Sequence, residues 1–180
     1  VSRNLPADLV RRLNPSAGFT RKRDRDERST RWDDLWKIAE HFGLEHRGGH
    51  PFDLDVCSKS ARFAKAATFF TPQIDGLAQP WFGRAFCNPP FTNIGAWLEK
   101  AFFELNRRRC SSVTFVLPAT RTEQWWWAEY VEPIREIVRP GLQLRTWFMP
   151  WRLRYGTPKD PLARQAKSPN FTSVALHYWR

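Results

Sequence analysis

A pair of consecutive prolines set between two apolar periodicities constrains this chain more than any other feature. Residues 81–87 (WFGRAFC) have the make-up of a β-strand, and Asn88-Pro89-Pro90-Phe91 follows at once. Proline lacks an N–H and has a fixed φ, so two in a row end a sheet ladder and turn the chain out of the strand. Ile94, Trp97, Leu98, Ala101, Phe102 and Leu105 then recur at spacings of three and four, the stripe of an amphipathic helix. Thr92 or Asn93 is placed to cap that helix. Arg107, Arg108 and Arg109 stand in its last turn, where the dipole favours cations, so they need no ligand to explain them. Residues 113–117 (VTFVL) form an apolar run of strand length closed by Pro118. Strand, helix and strand in that order make a parallel crossover, and the expected fold class is α/β with a mostly parallel sheet.

The flanks fit that class. Leu35, Ile38, Ala39 and Phe42 fall at helical spacing, with Thr30 or Asp33 as the cap and Gly43 as the stop. Residues 52–57 (FDLDVC) alternate like a strand with acids near its end, and a short helix is expected about residues 61–67. Pro72 and Asp75-Gly76 mark a loop. A helix over 122–131 and strands over 142–149, 152–155 and 171–178 complete the pattern, the last strands suggesting an antiparallel edge. Three tryptophans in succession, Trp125 to Trp127, must point several ways from one helix, so at least one is expected to face outward. The loop over 156–169 holds three prolines and several cations.

With 180 residues, 42% of them hydrophobic, one folded domain over 32–180 is expected, preceded by a basic arm over 1–31. No apolar run reaches the length of a bilayer, and the beginning lacks a signal-peptide core, so a soluble intracellular protein is expected. Three cysteines without CxxC spacing and four scattered histidines give neither a disulfide framework nor a zinc signature, and no metal is expected. The formal charge of +11, mostly from arginine, favours a nucleic-acid partner. Arg21, Lys22 and Arg23 in the arm are candidate phosphate contacts.

In open α/β sheets, ligands collect at the carboxyl ends of the strands, where Asn88 to Phe91 falls. The Asn88 amide oxygen and the Pro89 carbonyl are two acceptors held in a stiff turn, and Phe91 offers a flat face. Two acceptors aimed at the hydrogens of a planar amino group draw its nitrogen towards tetrahedral geometry and stabilise the positive charge that grows as it attacks an electrophilic methyl. That chemistry suits adenine N6, cytosine N4 or a glutamine amide alike.

The blocks around this turn resemble the DNA N6-adenine methyltransferase family of phages and prophages, often called phage Dam-like. The resemblance runs from about Trp32 to Tyr178. It rests on Asp55-Val56-Cys57-Ser58, Ala64-Lys65 to Phe70-Thr71, Asp75-Gly76-Leu77 with Trp81, Asn88 to Phe91, Trp97 with Lys100-Ala101, and Leu117-Pro118-Ala119 with Arg121-Thr122 and Trp125. Towards the end, residues 151–156 and 171–176 approximate two further family blocks. The resemblance implies a Rossmann-like S-adenosyl-L-methionine-dependent methyltransferase domain acting on double-stranded DNA in the cytoplasm of a bacterial host. It implies Asn88, Pro89, Pro90 and Phe91 as catalytic, Asp55, Asp75 and Lys65 at the cofactor, and Arg121 and Arg152 near phosphate. The chain departs from the family in lacking a glycine-rich GxG loop, in carrying Phe63 before Ala64-Lys65, and in having Phe91 where tyrosine is commoner. A methylase of cytosine N4 or RNA, a catalytically silent DNA-binding scaffold, and an RNA-binding module are the rival readings.

Overall fold

The computed structural model describes residues 29–45, 48–135, 141–154 and 171–180. Among these, helix α1 (Trp32–His41) leads to β1 (Leu54–Asp55), a 3-10 turn (Ala61–Phe63) and β2 (Thr68–Phe69). Strand β3 (Gly83–Cys87), helix α2 (Ile94–Asn106) and strand β4 (Cys110–Pro118) follow, then α3 (Trp125–Tyr130), β5 (Gln143–Phe148) and β6 (Ser173–Trp179). One six-stranded sheet runs in the order β2-β1-β3-β4-β6-β5. The first four of these strands are parallel, and β6 pairs antiparallel to both β4 and β5. The expected parallel crossover is β3-α2-β4, and the antiparallel edge lies where the sequence suggested.

Alternation in the central strands decides the layers. Val113, Phe115 and Leu117 of β4 join Val174, Leu176 and Tyr178 of β6 on the face covered by α2 and α3. Val116 and Ala175 point the other way, to Leu35, Ile38 and Phe42 of α1. Both faces of β4 are therefore buried, which is why its residues read as an almost continuous apolar run. The exception on the α1 face is polar and paired: Thr114 and His177, directly opposite in register, are hydrogen-bonded at 2.8 Å, and Phe42 stacks on the imidazole. Burial holds the His177 pKa down to about 4.

Several local expectations are corrected. Strand β1 keeps only two of the six residues of the alternating run. Asp53 is drawn off to the Arg84 N–H and guanidinium, and beyond Asp55 the Cys57 N–H folds back onto the Asp55 carboxylate. The helix expected about 61–67 is one 3-10 turn, because the Lys65 N–H donates to Asp55 instead of continuing a helical ladder, and the chain then enters β2. Arg31 and Asn93 occupy the N-cap positions of α1 and α2 without a side-chain cap bond, so neither Thr30, Asp33 nor Thr92 caps a helix. Arg107 is the C-cap of α2, and Arg108 and Arg109 lie past it; Arg109 and Lys100 both pair with the fully buried Glu104. Residues 152–154 form no strand. Leu153 is buried among the α1-face residues, and the Trp151 indole N–H donates to Asp34 of α1 at 3.0 Å. The stop at Gly43 holds, with φ +68° there. The expected loop over 156–169 lies outside the described residues.

Candidate active site

Strands β1, β2, β3 and β4 end at the same edge of the sheet, and Asn88-Pro89-Pro90-Phe91 leaves β3 there. A small cleft, open to solvent and enclosing about 10 Å³, lies beside it. Asn88, Asp55 and Lys65 all line this cleft, so three of the residues singled out from sequence are brought together although 33 positions separate the first from the last.

Asp55 is the hub of that cleft. Its carboxylate is buried, with one oxygen accepting the Cys57 N–H at 3.2 Å and the other the Lys65 N–H at 2.9 Å. The chain leaving β1 and the chain approaching β2 are thus held by one side chain. Burial raises the Asp55 pKa to about 6, against the opposing pull of these N–H bonds and of the Lys65 ammonium. Burial in turn lowers the Lys65 pKa while Asp55 raises it, and the ammonium sits 5.1 Å above the Trp32 ring.

Two lining residues carry no motif signal. Ser29 and Thr30, which the sequence assigns to the basic arm, are buried and form a wall of the cleft, with Ser58 contributing a third hydroxyl. The Thr30 Oγ1 is buried and has no hydrogen-bond partner among the described residues. A buried hydroxyl without a partner costs free energy, and this one belongs to a residue that lines the cleft. Nothing in periodicity or spacing announces such a residue.

Pro89 is buried, Asn88 and Pro90 are half-buried, and the Pro90 carbonyl accepts the Asn93 N–H at 3.0 Å, closing the turn into α2. The half-buried Phe91 packs against both core clusters and meets Phe171 edge to face at 5.8 Å.

Residues 19–145 match the family model of DNA N-6-adenine-methyltransferase (Dam). The chain belongs to the DNA N-6-adenine-methyltransferase family. No curated protein and no solved structure matches it.

Cys57 and Ser58 of the Dam resemblance also line the cleft, whereas Asp75, Arg121 and Arg152 stand outside it. Asp75 does not line it; the residue has φ +56° and its carboxylate accepts the Leu77 N–H at 3.2 Å. The value of the Asp75-Gly76-Leu77 block is positional. A Cβ on Gly76 would overlap the Val56 carbonyl oxygen, and the Trp81 indole N–H donates to the Gly76 carbonyl at 2.7 Å, so the turn is clamped against the end of β1. Arg121 and Arg152 are exposed, in the segments that follow β4 and β5. Arg21, Lys22 and Arg23 lie outside the described residues. No helix among the described residues is long and apolar enough to cross a membrane.

Proposed function

We propose that this Dam family member transfers a methyl group from S-adenosyl-L-methionine to N6 of an adenine extruded from double-stranded DNA, on a Rossmann-like sheet. One observation carries the reading. Asn88 shares a cleft at the carboxyl edge with a buried carboxylate and a buried ammonium, beside a hydroxyl that lacks a partner among the described residues.

The donor and acceptor set fits the methionine end of the cofactor. The Thr30 hydroxyl and the Lys65 ammonium suit a carboxylate, and the Asp55 carboxylate suits an ammonium or a ribose hydroxyl. The cleft itself encloses only about 10 Å³, room for about one water molecule, so in this state it admits no more than a small polar end of the molecule. Asp75 is left with the turn beneath β1 as its role. When bound, the cofactor supplies a sulfonium-activated methyl.

The protein's task is then directed at the amine. The Asn88 amide oxygen and the Pro89 carbonyl accept the two N6 hydrogens. This withdraws the nitrogen lone pair from the ring and stabilises the positive charge developing on N6. Pro89 and Pro90 have fixed φ and no N–H, so the turn that presents the acceptor pair is stiff and neither proline donates a competing hydrogen bond to it. Phe91 holds the turn between the two cores and gives the base an apolar wall. Arg121, Arg152 and the arm cations Arg21, Lys22 and Arg23 contact phosphate.

The test is transfer of labelled methyl from S-adenosyl-L-methionine to unmethylated duplex DNA, with the modified nucleoside identified by mass spectrometry. N6-methyladenine from the unaltered protein is expected, falling about 10²–10³-fold in Asn88→Ala at unchanged cofactor affinity. N4-methylcytosine as the product, or equal turnover by the variant, overturns the reading.

A further inference from the structure

The large apolar side chains left exposed are not scattered. Among the described residues they are Ile74, Phe82, Phe103, Trp125 and Phe148. Strand β5 is antiparallel to β6, which is antiparallel to β4, so β5 ends at the same edge as the four parallel strands. Phe148 is its last residue, Ile74 follows β2, and Trp125 follows β4. Three of the five therefore ring the edge that carries Asn88, with exposed Arg121 and Arg152 on the same edge.

Trp125 is the most exposed of them at 51%, yet it is fixed in place. Its indole lies over Gly95, where a Cβ would overlap the ring, and Tyr130 meets it edge to face at 6.2 Å. Gly95 is in the first turn of α2, the helix that begins directly after the Asn88–Phe91 turn. Its neighbours Trp126 and Trp127 are buried, so helix α3 is anchored by two tryptophans and offers the third outward. A rigid aromatic with one face in water, four residues after the exposed Arg121, matches an unstacked nucleobase beside a phosphate better than it matches solvent.

The geometry points to Trp125 as a positioning residue for the extruded adenine: it stacks against the base pair left behind, or fills the gap in the duplex, while Arg121 holds a flanking phosphate. This rests on the proposed methyl transfer to an extruded base. Trp125 is not a catalytic residue, because it acts on the duplex and not on the reacting atoms. Its contribution is felt where a base has to be unstacked from a helix, and much less where the substrate is already single-stranded.

The discriminating measurement is therefore a ratio. Methyl transfer to unmethylated duplex DNA and to the same DNA after heat denaturation is followed for the unaltered protein, Trp125→Ala and Trp125→Phe, together with affinity for labelled duplex by fluorescence anisotropy. Trp125→Ala should lower the duplex-to-single-strand ratio of kcat/KM by about tenfold or more and weaken duplex binding, and Trp125→Phe should restore most of both. An unchanged ratio, or an equal fall on both substrates in both variants, reduces Trp125 to packing on α2 and overturns the inference alone. Absence of adenine methylation by the unaltered protein on either substrate overturns the functional reading, and this inference with it.

Discussion

Replacing Asp55 by asparagine should change how the stability of the protein depends on pH, in a direction that burial dictates. The carboxyl has an ordinary pKa of 3.8 in the unfolded chain and about 6 in the fold. Between these values the unfolded chain has released the proton while the native protein retains it. The native state then binds more protons, and stability falls as pH rises, by about 1.4 kcal/mol per pH unit. Over the whole interval the loss is about 3 kcal/mol, complete above the native pKa. Asparagine cannot ionise, so the slope disappears, but its amide nitrogen faces either the Cys57 or the Lys65 N–H. That adds a pH-independent penalty of about 1–3 kcal/mol for an unsatisfied donor. Urea unfolding of both proteins from pH 4 to 7.5 isolates the effect. His177, whose lowered pKa makes stability fall as pH drops from 6.5 towards 4, is present in both and cancels in the difference. The stability advantage of the unaltered protein over Asp55→Asn should shrink by about 2–3 kcal/mol as pH rises across that range. A difference that stays constant, or grows with pH, refutes the reasoning, because it would mean that the N–H bonds and Lys65 outweigh desolvation.

Thr30→Val should weaken S-adenosyl-L-methionine about tenfold by calorimetry while leaving the urea midpoint of the unliganded protein unchanged or higher, since the hydroxyl has no partner to lose among the described residues; an unchanged affinity removes Thr30 from the ligand. Cofactor affinity should also rise with pH to a plateau above about pH 6, as Asp55 becomes an acceptor on both oxygens; a flat profile between pH 5 and 7 counts against Asp55 as a ligand. Deleting residues 1–28, which spares Ser29 and Thr30, should weaken duplex binding and flatten its dependence on salt, and an unchanged salt slope would exclude the arm cations from phosphate contact.

The crossover that carries the site was legible because each of its parts has a one-dimensional signature. The stripe from Ile94 to Leu105 has the period of a helix, the run from Val113 to Leu117 is buried on both faces, and two prolines fix the break between them. Asn88 and Asp55 were reachable from motif and position. What stayed hidden depends on contacts distant in sequence. Strand β1 is cut short by side-chain bonds from Asp53 to Arg84, 31 residues on, and the helix expected near Ala61 yields to a bond from Lys65 back to Asp55. Neither event leaves a local trace, and local propensity read alone overestimates both elements. Thr30 is a small polar residue in a charged stretch, and only the fold turns it to the cleft. The tryptophan triplet was half legible: a single helix cannot bury all three, but only Gly95, the small residue that Trp125 packs against, identifies the one left outside.

Asp55 also explains why a fold would keep an acid where burial works against its charge. Two backbone N–H groups at the end of β1 need acceptors, and a neutral amide offers only one oxygen, so a carboxylate is the side chain that serves both. The ionised form suits that task best and is also the form that desolvation disfavours. A cation in the cleft relieves the conflict, since it stabilises the ionised form while leaving both N–H bonds in place. Lys65 does so in part, and its own charge is disfavoured by the same burial. A ligand bearing an ammonium or a sulfonium would complete it, and binding would then draw the Asp55 pKa down towards its ordinary value. The unliganded cleft is therefore held in a state that costs stability and that a positively charged ligand would offset.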